Sequence, residues 1–595
     1  MVDNSNGRAS RRKWLRALGA GSAALLAGCS GDTPEPGGQG GGSTGNGQGE
    51  GSTENSVDQT FYNATWAIPT QAQYNQQNPT NQTEFPNYVL FGRLAQYNQT
   101  SAEWVPHLAE EWNISGTSVT LNLNDSFVWH DGDPVTAKDV ATKLRVEYAM
   151  ETTLANFLSG VEVPDETTIE IELQGETNRN LLYQNLLSLM IDTPTSVWGE
   201  YVSDVQFDDS DYSSVQEEIV QFSWQDPIGW GPFQLDDQTG QQIQLTKFDD
   251  HPQADQINFS TMAFRYVENK QQKMQGYLSE RISGGGMIPT KSVYDQMPSA
   301  FQNWNFNRGV GFALHFNQNR KVFQDVRVRK ALSHVLDRGP MVENTSIVGP
   351  KTLEFDTGFH GNKKFQRRYI GDTLNEFTLY NDTKRATALL KEAGFTKNGE
   401  KWTKPNGDPF QLTLKSASGF SAWRVGTNEA TRQLNEFGID AEFTPVQNST
   451  YLSNTLSNGD FDIGASFVGQ QILHPLTDLE TSFYGYPSFA PDIGTPDEFS
   501  VPMPVANPSG STKTVNVRDL ISRITSTSGQ KSQDLIKRLS WVYNQTMPTY
   551  VVFTSYGYSF LNTDNWTVPP EDAATNGVSY PVALMMHKGQ VRAKQ

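Results

Sequence analysis

The sequence predicts an α/β protein assembled from more than one folding unit, and three observations carry that reading. Strand-like and helix-like stretches alternate along most of the chain, and the helices carry start and stop signals. The 595 residues exceed what one hydrophobic core organises, and 36% apolar with 11% aromatic residues is enough to fill several.

In chain order, the first strand of the body runs from Thr60 to Thr65. Val119-Thr120-Leu121-Asn122-Leu123 and Ile169-Glu170-Ile171-Glu172-Leu173 alternate apolar and polar residues, the period of a half-buried strand. Thr136 to Tyr148 reads as a helix: Thr136 caps it, Asp139 holds the third helical position, and Val140, Leu144 and Tyr148 share a face. Ile243-Gln244-Leu245 is a further strand. Phe323 to Arg338 reads as a helix with Val328, Ala331, Leu332, Val335 and Leu336 inward. Thr383 to Ala393 stops at Gly394, and another helix stops at Gly438 before a strand from Ile439 to Phe443. Tyr550-Val551-Val552-Phe553 is the last strand.

The N-terminus reads as an address. Ser10-Arg11-Arg12-Lys13-Trp14-Leu15-Arg16 precedes a short apolar run from Ala17 to Ala27, the form of a signal peptide. The paired arginines resemble a twin-arginine signal. Leu26-Ala27-Gly28-Cys29 resembles a lipobox, which makes Cys29 the lipidated first residue of the mature chain. Cys29 is the only cysteine, so the protein has no intramolecular disulfide and no Cys-based metal site. Residues 31–56 hold ten glycines and almost nothing apolar, a tether spanning roughly 28 Å. The expected division is a signal peptide over 1–28 and a lipidated tether over 29–56.

The net charge of −20, with no long basic run after residue 16, argues against nucleic acid as a partner. Few Lys and many Asp, Glu, Asn and Gln fit a halophilic, extracellular protein. The sequence has no Gly-x-Ser-x-Gly elbow, His-Glu-x-x-His or phosphate-binding Gly-rich loop, and its eight His are scattered. No enzyme activity, cofactor or metal is expected.

Several ordered blocks then carry a resemblance. Trp104-Val105-Pro106-His107-Leu108-Ala109-Glu110-Glu111-Trp112 leads into Phe127-Val128-Trp129-His130-Asp131-Gly132-Asp133-Pro134-Val135-Thr136-Ala137-Lys138-Asp139-Val140. Gly229-Trp230-Gly231-Pro232-Phe233, the run from Val322 to Leu332, Ala388 to Phe395, and Gly459-Asp460-Phe461-Asp462 follow in order. Together they resemble family 5 of the bacterial and archaeal extracellular solute-binding proteins, the oligopeptide-, dipeptide- and nickel-binding proteins of ABC transporters. The resemblance implies a two-lobed periplasmic-binding-protein-like fold (type II) with an extra subdomain in the first lobe. Lobe I is then 57–90, 222–310 and 541–595, the inserted subdomain 91–221, and lobe II 311–540. It also implies a monomer that traps a small solute between its lobes and delivers it to permease subunits. His130 belongs to a scaffold motif and is not read as catalytic. A sensory or structural lipoprotein on the same fold is the alternative function, and a secreted hydrolase the more distant one.

Loops after strands that point into the cleft supply the candidate ligand contacts. These are Trp66, Phe420 and Trp423, Phe467 with Gln470 and Gln471, and Tyr556 with Tyr558. Peptide-binding relatives carry an acidic residue near the loop that follows Phe467, whereas Ser466 to Pro475 has none. A buried ammonium there lacks a partner. The expectation is therefore a neutral or polar solute, such as an oligosaccharide, or a peptide held through its backbone.

Overall fold

The computed structural model describes residues 57–595 except 79, 209, 346–347, 350, 470–471 and 486–492. The expected signal, the tether, Cys29, Gln470 and Gln471 lie outside the described residues. Among the described residues no helix is long and apolar enough to cross a membrane.

Local signals position the elements. Thr136 is extended and caps Ala137–Ala149, its backbone N–H donating to the Asp139 carboxylate at 2.8 Å. Asp139 also accepts from the Trp129 indole at 3.2 Å and from the Thr195 backbone at 2.8 Å. One carboxylate thus ties the turn, the helix start and the next segment together. The helices Thr383–Glu392 and Ser421–Phe437 end before Gly394 and Gly438, which adopt φ of +87° and +102°.

Three sheets organise the body. The first orders Thr60–Thr65, Thr261–Tyr266, Gln242–Lys247 and Phe233–Gln238, its first pair parallel and the rest antiparallel. An antiparallel sheet within residues 109–173 orders Ala109–Ser115, Ser118–Leu123, Thr168–Leu173 and Leu158–Glu162, with the helix Ala137–Ala149 against it. The third sheet runs Gly284–Met287, Thr549–Asn562, Phe301–Phe316, Ile463–Val468, Gln411–Ala417 and Asp440–Val446.

Two strands of that last sheet are unusually long, and they join the lobes. Phe301–Phe316 and Thr549–Asn562 pair antiparallel along nearly their whole length, with a register shift between Asn307 and Gly311. Thr549–Asn562 pairs with Gly284–Met287 at one end of the ribbon, and Phe301–Phe316 pairs with Ile463–Val468 at the other. The break leaves residues 308–310 outside the paired register at the crossover.

Two expectations need correction. The helix expected from Phe323 to Arg338 is divided: Asp325 is extended, its carboxylate accepts the Arg327 N–H, and the helix proper is Val326–Val335. The return to lobe I comes later than residue 541. Trp541 lies in the helix Gly529–Thr546, stacks edge-on with Phe377 at 5.4 Å and donates to the Pro502 carbonyl. The crossover is made by Thr549–Asn562. Arg329 secures that helix end, its buried guanidinium donating to the Thr546 and Met547 carbonyls at 2.9 and 3.2 Å.

The segment expected as the inserted subdomain, residues 91–221, holds a buried triad. Lys143 donates to Asp192 at 2.9 Å and lies 3.2 Å from Glu147, and all three side chains are nearly inaccessible. Burial alone lowers the Lys143 pKa, but the two carboxylates more than offset it and raise the value. Lys143→Met leaves two carboxylates buried without a cation. The expected cost is about 3–5 kcal/mol, read as a lower midpoint in urea unfolding followed by circular dichroism.

Candidate functional site

The site begins with a join between two sequence motifs. The His130 N–H donates to the Gly229 carbonyl at 2.7 Å, and the Gly229 N–H donates to His130 Nδ1 at 3.1 Å. His130 Nε2 then donates to the Gly231 carbonyl at 3.1 Å. With one nitrogen accepting and the other donating, the ring is held neutral. The N–H groups of Trp230 and Gly231 in turn donate to the Leu90 carbonyl at 3.0 and 2.8 Å. The Trp230 indole anchors the turn on the Ile191 carbonyl at 2.7 Å. This knot fixes the segments 89–93 and 190–191.

A cavity of about 460 Å³ opens beside those segments. Its wall comes from distant stretches: 88–97, 184–190, Arg308 and Val310 at the register break, Ile472 of lobe II, and 579–587. The two lobes also touch at its edge. The Leu473 N–H donates to the Gln184 side chain at 2.7 Å, and the Tyr369 hydroxyl holds the Leu473 carbonyl from behind. Nearby, the Asn178 amide donates to the Thr527 carbonyl and to Ser532, both in lobe II. Volume and position between lobes match what a small-solute pocket requires.

Aromatic rings and cations line the cavity. Tyr580 takes a left-handed backbone, φ +53°, at the start of the helix Pro581–His587. That conformation sets its ring 5.0 Å from Tyr88 and 4.8 Å from Phe306. Arg93 lies over Tyr88 at 5.9 Å and donates to the Ser188 carbonyl. Arg308 lies close enough to hydrogen-bond the Tyr580 hydroxyl. Neighbouring Lys270 and Lys273 are pushed down to about 8 by burial. Glu84 faces Lys273 and Arg308, and burial raises its carboxyl against their pull.

The residues expected at the site are distributed unevenly. Trp66, just past the first strand, is 36% exposed, with Lys273 5.4 Å from its ring. Phe420, Trp423 and Phe467 come together, with centroids 4.7, 4.5 and 6.0 Å apart. They are not on open loops as expected. Trp423 is in the first turn of Ser421–Phe437 and 3% exposed, and Phe467 is within Ile463–Val468 and 8% exposed. The helix begins directly after the strand turn and folds the rings inward onto Phe312. Tyr556 is half-buried opposite Asn307, beside the register break, and Tyr558 packs on Tyr294 at 5.5 Å. None of these six lines the 460 Å³ cavity. Ile472, next in sequence to the expected Gln470 and Gln471, does. Arg93, Arg308, Tyr88, Tyr97 and Tyr580 went unread in the sequence, although Arg93 stands between two matched blocks and the first lobe strand.

Comparisons with known proteins agree with this architecture. The model of the bacterial extracellular solute-binding proteins, family 5, matches residues 103–489. The dipeptide-binding protein of Escherichia coli is 25% identical over 358 residues, 54% of this chain and 61% of that protein. The oligopeptide-binding protein OppA of Bacillus subtilis is 23% identical over 383 residues, 60% and 64% of the two chains. The chain thus spans about six tenths of the length of these curated relatives. The mannohexaose-bound periplasmic oligopeptide-binding protein of a Thermotoga maritima ABC transporter superposes with a TM-score of 0.66 at 17% identity, covering 91% of this chain and all of that one. With the matched region covering well over half its length, the chain belongs to the extracellular solute-binding proteins of family 5.

Proposed function

We propose that this protein is the extracytoplasmic substrate-binding component of an ABC importer, capturing a small solute between its lobes and delivering it to permease subunits. The observation that carries the reading is the 460 Å³ cavity walled by both lobes and by the crossover strands. Relatives named for dipeptides and oligopeptides, and a neighbour holding mannohexaose, support a peptide or an oligosaccharide-sized ligand.

In this reading Trp66 and Tyr556 border the cleft and contact longer solutes, and Gln470 and Gln471 are further ligand contacts. Phe420, Trp423 and Phe467 form the apolar backing of the lobe II wall, and Tyr558 supports Tyr556. Cys29 is lipidated after twin-arginine export, which holds the body as a monomer at the outer face of the cytoplasmic membrane. A thermal-shift screen with di- to hexapeptides, oligosaccharides and Ni²⁺ tests the reading. A solute at a hundred times its Kd adds about 2.7 kcal/mol of stability and raises Tm visibly. No shift with any class, in protein shown to be folded, contradicts it.

A further inference from the structure

Among the described residues, the cavity is lined by two arginines and by no aspartate or glutamate. Arg93 and Arg308 come from distant parts of the chain, one on the segment fixed by the His130 knot and one at the break between the long strands. Among the described residues neither forms a salt bridge, and both remain partly open to the cavity. Glu84 faces Arg308 and Lys273 together and is not among the lining residues. Lys270 and Lys273 add further positive charge behind Arg308.

Two guanidinium groups beside one space repel each other, and Glu84, which also faces Lys273, offsets only part of that charge. Water entering an open cavity screens such charges. Closure on a neutral solute removes that water and leaves the cost standing. A planar carboxylate, by contrast, takes paired N–H donors from each fork. Tyr88, Tyr97 and Tyr580 offer ring faces and hydroxyls to the rest of such a molecule, and Gln184, Asn185 and Ser188 offer neutral polar contacts.

We infer that the solute is an organic acid whose carboxylate sits between Arg93 and Arg308: an acidic sugar, a polycarboxylate or an acidic peptide. This rests on the solute-binding reading above, and it replaces the neutral ligand that the acid-free loop suggested. That loop speaks only to the absence of an ammonium partner, whereas the two arginines name the group that is present.

Isothermal titration of the whole protein tests it with glutarate, citrate and N-acetyl-Glu-Glu, against glutaric diamide, neutral oligosaccharides, spermidine and inorganic phosphate. The expected result is binding of at least one carboxylate and none of the diamide. Arg93→Met and Arg308→Met, each checked for native circular dichroism, are expected to weaken it by about 10- to 100-fold. Arg308→Lys is expected to recover part of the loss, since it restores charge without the fork. Equal or tighter binding of the diamide, an oligosaccharide or the amine, with arginine variants within twofold of the parent, overturns the inference and leaves the solute-binding reading intact. A preference for inorganic phosphate over every carboxylate also overturns it. Binding of nothing on the panel by folded protein overturns the inference.

Discussion

Acidification from pH 7 toward pH 4 is expected to unfold the lobe that carries the His130 knot. His107, His251 and His587 are buried together, with His107 and His587 centroids 4.8 Å apart and His251 6.1 Å from His587. His130 lies alongside on Phe248. Burial pushes His130 and His587 down to about 4 and His251 to about 2, and holds His107 well below its usual range, with the other imidazoles adding repulsion in the trio. The unfolded chain takes up these protons near pH 6.5 and the folded chain only far below, so stability is complete above pH 6.5 and falls as pH drops toward the folded values. At pH 5 His130, His251 and His587 each cost about 2 kcal/mol, about 6 kcal/mol for the three, and His107 acts in the same direction, within the range of the whole stability of a typical domain. Trp230 sits 5.1 Å from His107, so its fluorescence reports the transition. The expected midpoint lies between pH 4 and 6, and an unchanged spectrum down to pH 4 contradicts the account.

Gly231→Ala is expected to destabilise the same lobe by about 3 kcal/mol or more. A Cβ on Gly231 sits 2.0 Å from the Val89 carbonyl oxygen, a backbone atom that cannot step aside. The turn cannot retreat either, because Trp230 is anchored on Ile191 and the Gly231 carbonyl holds His130. Gly231 is not in the left-handed region, so the cost is steric and not conformational. Gly240→Ala is the matched control: nothing lies within 4 Å of its Cβ, and a small gain of about 0.4–1 kcal/mol is expected. Urea denaturation of the two variants separates them. Similar midpoints for both contradict the proposed role of the turn.

These two sites show what the sequence made legible. The capping box at Thr136 and Asp139, the glycine stops at 394 and 438, and the alternating strands were readable because each depends on neighbours within a few residues. His130 was readable as scaffold from its Asp-Gly turn, though its partners at 229 and 231 were not. The division at Asp325 was missed because helical periodicity continues through it, while a side-chain hydrogen bond interrupts the backbone. Trp423 and Phe467 were placed on loops because strand ends were judged without the helix that starts at Ser421. The cavity itself left no local signal. Arg93 and Arg308 are brought to one space only by the crossover strands and the fixed segment at 89–93, and a lone arginine in sequence reads as surface charge.

The central claim is that a solute closes the two lobes around this cavity. It is tested most directly by a fluorescence-transfer distance between a probe on the inserted subdomain and one on lobe II. Glu166→Cys and Glu400→Cys, both at exposed positions, in a Cys29→Ser background provide the labelling sites. The best solute from the thermal-shift screen is then titrated in. The account predicts a shorter, narrower distance distribution that saturates at one solute per chain. A distribution unchanged by saturating solute contradicts it.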